Sequence, residues 1–462
     1  MLKRYLGDNA FYRRVLTIAL PIIMQNLITN FVSLLDNIMV GQLSTAQISA
    51  VTIVNNNLLF IFNLCLFGAA AGAGIFTTQF HGSGNTDGIR HTFRFKIIIC
   101  LALTVLGACV FFFGSDPLIG LYLQGEGDPA LAAETLRYGR EYLFIMLIGL
   151  IPFALTNAYA GTLRECGHAA VPMVAGMIAM VVNLILNYIL IFGHFGAPSM
   201  GVTGAAVATV IARYVEFLVV AGWTHLNPEK NPYIKDAFRS FYIPGTLLKA
   251  IILKGMPLLL NEGIWSLGMA LLNQCYSVCG LDVVPALSIS TTIYNLASVV
   301  FRSLGNTVGI ITGQMLGAGN SEEEVRDTNR KMTALCIVSG IIFGAAAIAL
   351  SSVFPMIYNT TDSVRQLAMW LIIISAAAMP LQAYIFPVYF TMRAGGKTMI
   401  TFLFDSGSVW ALSIPIAFFL SRFTTLSIVV IYTLCNATDI IKCIIGYYII
   451  KQGSWIQNLA AK

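Results

Sequence analysis

The chain is 462 residues long, 57% hydrophobic and only 10% charged, with a formal charge of +6. A soluble domain carries about 25% charged residues, so the composition excludes a water-soluble globular protein and describes an integral membrane protein. The positive excess requires no nucleic acid, because Lys and Arg collect on the cytoplasmic side of short membrane loops.

Twelve apolar runs reach the roughly 20 residues that a helix needs to cross the hydrocarbon. They are 15–40, 47–76, 95–114, 138–161, 170–193 and 203–224, then 250–278, 284–316, 332–353, 364–391, 398–420 and 424–450. The alternating pattern of a membrane barrel is absent. The first run is too long for a signal peptide and lacks its small-residue cleavage site, so the first helix is expected to stay. Arg4, Arg13 and Arg14 precede that helix, and Arg90, Arg94, Lys96, Arg164, Lys230, Lys249, Arg326, Lys331, Arg393 and Lys397 lie in or beside even-numbered connections. Only Arg137, Arg140, Arg365 and Arg422 fall on the other side, which puts both termini in the cytoplasm. The expected organisation is an N-terminal lobe over 1–226, a cytoplasmic linker over 227–249 and a C-terminal lobe over 250–462, in an all-α membrane protein.

The two halves are copies. Thr77-Thr78-Gln79-Phe80-His81-Gly82-Ser83-Gly84-Asn85 returns as Thr312-Gly313-Gln314-Met315-Leu316-Gly317-Ala318-Gly319-Asn320. Pro21 answers to Pro257 at an offset of 236, and Thr162-Leu163-Arg164 with Gly167 answers to Thr391-Met392-Arg393 with Gly396 at 229. Six spans per half make the repeats parallel, a common build for secondary transporters.

Enzymatic and metal chemistry find little support. The nine cysteines include no Cys-x-x-Cys, and the five histidines are isolated near loops. The run Gly68-Ala69-Ala70-Ala71-Gly72-Ala73-Gly74 has neither the preceding strand nor the closing Lys of a phosphate loop, and reads as close helix packing. No cofactor is expected.

Acids at membrane depth are costly and are functional candidates by default. Asp36, Glu216, Glu262, Asp405 and Asp439 qualify. Glu216 has Arg213 one turn away, and Asp439 has Lys442, which predicts a structural ion pair at each place. Asp36 has no such neighbour on its own helix. By depth, Asn183 and Asn187 on the fifth span and Thr209 on the sixth could join it around a cation or a proton, or form a polar packing cluster. Glu262 lies near mid-depth beside Asn261 and Trp265, placed to hold a cationic substrate, to carry a second proton or to hydrogen-bond within its lobe.

Leu20-Pro21 followed by Asp36-Asn37-Ile38-Met39-Val40-Gly41 resembles the first helix of multidrug and toxic compound extrusion (MATE) transporters of the MOP flippase superfamily. The stretches at 162–167, 183–187 and 201–209 follow in family order, so the resemblance covers nearly the whole chain. It implies antiport by alternating access, with organic, often cationic or aromatic, compounds leaving as protons or sodium ions enter through the cell membrane. It implies a coupling-ion site at Asp36, Asn183, Asn187 and Thr209, a conformational hinge at Pro21 and a monomeric transport unit. Asn187 stands where many relatives have Asp, which favours a proton over sodium. Glu262 matches the seventh-helix acid of the NorM-type branch, whereas the tenth-helix acid aligns with Gln382, so that acidic pair is incomplete. A lipid-linked oligosaccharide flippase is the alternative within transport, although Arg302 is the sole unpaired cation available for its pyrophosphate. A non-transporting receptor or scaffold is the alternative outside transport, and it would not require acids at depth.

Overall fold

The computed structural model describes residues 4–123 and 128–461, and every regular element within them is helical. In chain order these are α1 (Asn9–Val40), α2 (Thr45–Ile53), a π turn (Val54–Leu59), α3 (Phe60–Gly82), α4 (Thr86–Gly120), α5 (Pro129–Ile148), α6 (Leu150–Glu165), α7 (Ala170–Phe192) and α8 (Gly201–Leu226). There follow α9 (Gly245–Ser277), α10 (Val283–Gly317), α11 (Glu322–Leu350), α12 (Asp362–Ala394) and α13 (Thr398–Phe402). Two further π turns (Leu403–Gly407 and Val409–Ser413) lead into α14 (Ile414–Phe423) and α15 (Ile428–Gln452).

Ten spans among the described residues are long and apolar enough to cross a bilayer, and α5 with α6, bent by 47° at Gly149, supply an eleventh. The expected number was twelve. The helix at the seventh position, α9, has 33 residues but carries Lys249, Lys254 and Glu262, which dilute its apolar run.

The repeated motifs are helix ends. After α3, the Gly84 amide bonds the His81 carbonyl and that of Asn85 bonds Phe80; after α10, Gly319 bonds Leu316 and Asn320 bonds Met315. Both glycines have φ near +70° (72° and 73°), a left-handed cap that L side chains adopt only with strain. The same closure ends α6 at Gly167 and α12 at Gly396. A polar bridge recurs as well: Lys96 Nζ donates to Thr162 Oγ1 at 3.1 Å, and Asn329 Nδ2 donates to Thr391 Oγ1 at 2.5 Å.

The chain divides into two compact units. Unit 1 comprises Met1–Ile23, Thr78–Asn85 and Met256–Lys462; unit 2 comprises Met24–Thr77 and Thr86–Gly255. In unit 1, Phe301, Leu371, Ile372 and Met379 are buried around α10 and α12. Small residues bring α11 onto α12: a Cβ at Gly340 would lie 2.5 Å from that of Ala383, and one at Gly344 would lie 2.7 Å from the Ala376 carbonyl. Gly72 and Gly74 serve unit 2 in the same way, since a Cβ would meet Gly255 at 2.5 Å and the Glu165 carboxylate at 2.4 Å respectively. The glycine-rich run is therefore packing, as its sequence suggests.

In each unit, the segment after the last helix folds back and is tied down. Arg94 on α4 donates to the carbonyls of Ala237, Asp236 and Tyr242 at 2.7, 2.7 and 3.2 Å, and Arg90 donates to that of Tyr233 at 3.2 Å. Tyr233 is 2% exposed and packs edge-on against the fully buried Phe93. In unit 1, Arg326 on α11 donates to the carbonyls of Lys451 and Ile450 in the last turn of α15, just ahead of that segment. Gln79 donates to those of Ala394 and Gln457 and accepts from the Leu459 amide at 2.6 Å. Trp455 is fully buried beside it in sequence.

Candidate functional site

Unit 2 gathers the four residues expected at the coupling site. Asp36 comes from α1, Asn183 and Asn187 lie one turn apart on α7, and Thr209 comes from α8. Asn187 Nδ2 donates to Asp36 Oδ1 at 2.7 Å and to Asn183 Oδ1 at 3.0 Å. Asn183 Nδ2 in turn reaches Thr209 Oγ1 at 3.4 Å, and Thr209 closes the chain on the Ala205 carbonyl. Asn187 is 1% exposed and its Oδ1 is buried without a partner among the described residues. A buried acceptor left unmet is costly; an acid proton, a water or a cation would satisfy it. Amide N–H groups engage one oxygen each of Asp36, Asn183 and Thr209. Among the described residues no group of three or more His, Cys, Asp or Glu converges as a metal site.

Tyr142 and Asn55 extend this polar region. Asn55 sits on the π turn Val54–Leu59, and its amide donates to the Tyr142 hydroxyl at 2.9 Å. Tyr142 lies in the fields of both Asp36 and Arg213. The Asn55-Asn56-Asn57 run is visible in the sequence, whereas a π turn has no sequence mark that would reveal it.

Both predicted intrahelical ion pairs fail. Arg213 makes none with Glu216: its guanidinium lies 4.7 Å above the Phe153 ring and its Nη1 is buried without a partner. Helical spacing brought the two charges near, but the aromatic face captured the cation. Asp439 accepts instead from Gln382 Nε2 at 3.2 Å, and no ion pair joins it to Lys442. The ion pair that is buried in unit 2 is Lys96 with Glu165, joined to Thr162. Lys96 falls in the orientation pattern, which hid its packing role.

Unit 1 holds the second group of candidates on α9, α10, α12 and the π turn Leu403–Gly407. Asn261, 2% exposed, donates to Asp405 Oδ2 at 2.9 Å and accepts from Ser406 Oγ at 2.7 Å. Asp405 therefore reaches Asn261 rather than Arg302, which lies 5.2 Å from the Phe386 ring centre. Glu262 is half-buried, with Arg393, Asp405 and Arg302 as its charged neighbours. Gln382 joins two partners, accepting from the Tyr294 hydroxyl and donating to Asp439. Trp265 stands one turn beyond Asn261, and Trp410 bonds the Ile264 carbonyl at 2.9 Å. Pro21 lies inside an α1 that stays helical on both sides of it.

A chain whose described elements are all helical, with ten or eleven apolar spans, a repeated sequence and an acid–amide cluster buried inside one unit, has the construction of a secondary transporter. The MatE family model matches residues 21–189 and 257–419, one segment in each repeat. The chain belongs to the MatE family and is a multi-pass transporter of the plasma membrane. It is 22% identical over 452 residues to a "Probable multidrug resistance protein NorM" of Thermotoga maritima, covering 96% of this chain and 93% of that protein. With the "Multidrug resistance protein PmpM" of Pseudomonas aeruginosa it shares 25% over 424 residues, 90% and 85% of the two chains. Among solved structures, "Outward-facing conformation of a multidrug resistance MATE family transporter of the MOP superfamily" superposes with a TM-score of 0.84 at 18% identity, covering 98% of each chain. "Crystal structure of MATE in the straight conformation" gives 0.84 at 19%, again over 98% of each.

Proposed function

We propose that this transporter is a proton-coupled exporter of organic, chiefly cationic or aromatic, compounds, working by alternating access between two six-helix lobes with both termini cytoplasmic. Small-molecule export follows the names of the relatives, which are multidrug resistance proteins. The observation that carries the choice of ion is the single carboxylate of the Asp36 cluster, wrapped in amide N–H donors and facing one unmet amide oxygen. Such a set changes state by one proton and offers sodium few free oxygens. Pro21 removes one backbone hydrogen bond from α1, so a bent and a straight form of that helix lie close in energy, and it serves as the hinge. The test is efflux of a fluorescent cationic dye from proteoliposomes, first in sodium-free buffer with a proton gradient, then with a sodium gradient at equal pH. Efflux is expected in the first condition. Efflux in the second alone would overturn proton coupling.

In unit 1, Glu262, with Asn261 and Trp265 on the same helix and Gln382 on α12, is the substrate-side group. Glu262→Gln is expected to weaken efflux of cationic compounds several-fold, about 1 kcal/mol of lost charge attraction, and to spare neutral ones. Equal losses for both classes, measured side by side in the same vesicles, would remove Glu262 from substrate selection.

A further inference from the structure

Glu216 belongs to neither cluster, yet the geometry of unit 2 gives it a place. Asn183 on α7 and Thr209 on α8 mark one level by their hydrogen bond. Two turns along the same antiparallel pair, about 10 Å at 1.5 Å per residue, α7 presents Gly176 and α8 presents Glu216. A Cβ on Gly176 would stand 3.9 Å from Glu216 Oε1, so the bare glycine faces the carboxylate. The two helices thus carry an acid–amide cluster at one level and a second acid at another, nearer the linker end of α8.

The charges facing Glu216 are Arg213 from its own helix and Arg164 from α6; α7 contributes none at Gly176. Neither arginine forms an ion pair with it. Arg213 is held on the Phe153 ring, and Arg164 Nε is engaged with the Ala160 carbonyl at 3.2 Å. This arrangement has a physical consequence. An acid locked in an ion pair must break that pair to gain a proton, whereas one merely near two cations changes protonation without moving them. Between the two levels stand Tyr142, in the field of both Asp36 and Arg213, and Arg213 itself with its buried unpartnered Nη1. Charged and polar groups therefore lie near both acids inside one unit.

We propose that Glu216 is a second proton-carrying carboxyl, receiving the proton that leaves Asp36 and releasing it at the linker end of α8. The proposal rests on the proton-antiport reading above. In the transfer, the Asp36 carboxylic acid becomes a carboxylate as the Glu216 carboxylate becomes the acid, with water bridging the gap. Glu216 then returns to carboxylate by protonating water on the far side. Arg213 and Arg164 are positioning residues that keep the returned charge stable.

The test compares wild type, Glu216→Gln, Glu216→Asp and Asp36→Asn in proteoliposomes. Two modes of a cationic dye are read: uphill efflux driven by a pH gradient, and dye–dye exchange without a gradient, which needs no net proton movement. Glu216→Gln is expected to slow uphill efflux by about tenfold or more, the order contributed by a positioned proton-transfer group, while exchange stays near wild type. Glu216→Asp should restore most of the driven rate with a displaced pH profile. Wild-type driven efflux and pH profile in Glu216→Gln would overturn the proposal, as would a parallel loss of both modes that Glu216→Asp does not relieve. If Glu216→Gln does not fold, the pH profile of Glu216→Asp decides: displaced supports the proposal and unchanged overturns it. In any of these cases, loss of driven efflux in Asp36→Asn keeps the underlying reading standing, whereas driven efflux that survives in Asp36→Asn overturns both.

Discussion

Asp36→Asn is expected to abolish uphill export driven by a pH gradient while leaving a folded protein that still binds substrate. The substitution keeps the size of the side chain, and its amide oxygen can still accept from Asn187 Nδ2 as the carboxylate does. Its new NH2 supplies a donor in a cluster where Asn187 Oδ1 has none. The variant is therefore a permanent copy of the protonated state and loses no packing. What disappears is the one titrating group among the four residues, and with it the means of taking up a proton on one side and returning it on the other. Asn187→Ala should cost less, because the carboxyl remains and only its anchoring amide is gone. The measurements are dye efflux under a proton gradient and thermal unfolding in detergent. Driven efflux that persists in Asp36→Asn, with unfolding unchanged, would sink the assignment.

Lys96→Met is expected to produce the largest loss of stability. Lys96 is 1% exposed, and its ammonium is held by Glu165 and by Thr162 Oγ1. Removing one member of a buried ion pair costs about 3–5 kcal/mol. Glu165 has little room to turn away, because its carboxylate lies against Gly74, where a Cβ would be only 2.4 Å from Oε1. A clear drop in unfolding temperature and in monodisperse yield should follow. Lys96→Met combined with Glu165→Gln should recover part of it, since no net buried charge is then left. A double variant less stable than the single one would show that the pair does not carry this energy.

The residues that made this chain readable act through composition and period. Long apolar runs are set by the thickness of the bilayer, so most spans could be placed, and the helix-end glycines returned in both halves because a left-handed cap admits little else. The Asp36 cluster was legible for a related reason: equal depth on neighbouring spans follows from counting at 1.5 Å per residue. The failures came where direction across helices decides. Arg213 and Glu216 sit at ideal spacing, but an aromatic ring on α6 competes for the cation, and no one-dimensional rule reveals that ring. The partner of Asp405 was hidden because the π turn that aims it toward Asn261 depends on where an extra residue is accommodated in the helix. The bend at Gly149 was likewise hidden inside one continuous apolar run.

The folded-back segments bear on how the molecule arose. Arg94 and Arg326 are 232 positions apart, inside the 236 to 229 drift of the repeat; Arg94 fastens the chain that follows α8, while Arg326 bonds the last turn of α15 and Gln79 holds the segment beyond it. Each fastened segment also buries one large aromatic ring, Tyr233 in one case and Trp455 in the other. What was duplicated was therefore a bundle together with its closing strap. Lengthening the first segment beyond Tyr242 should therefore disturb the transporter far less than cutting into the part that Arg94 holds.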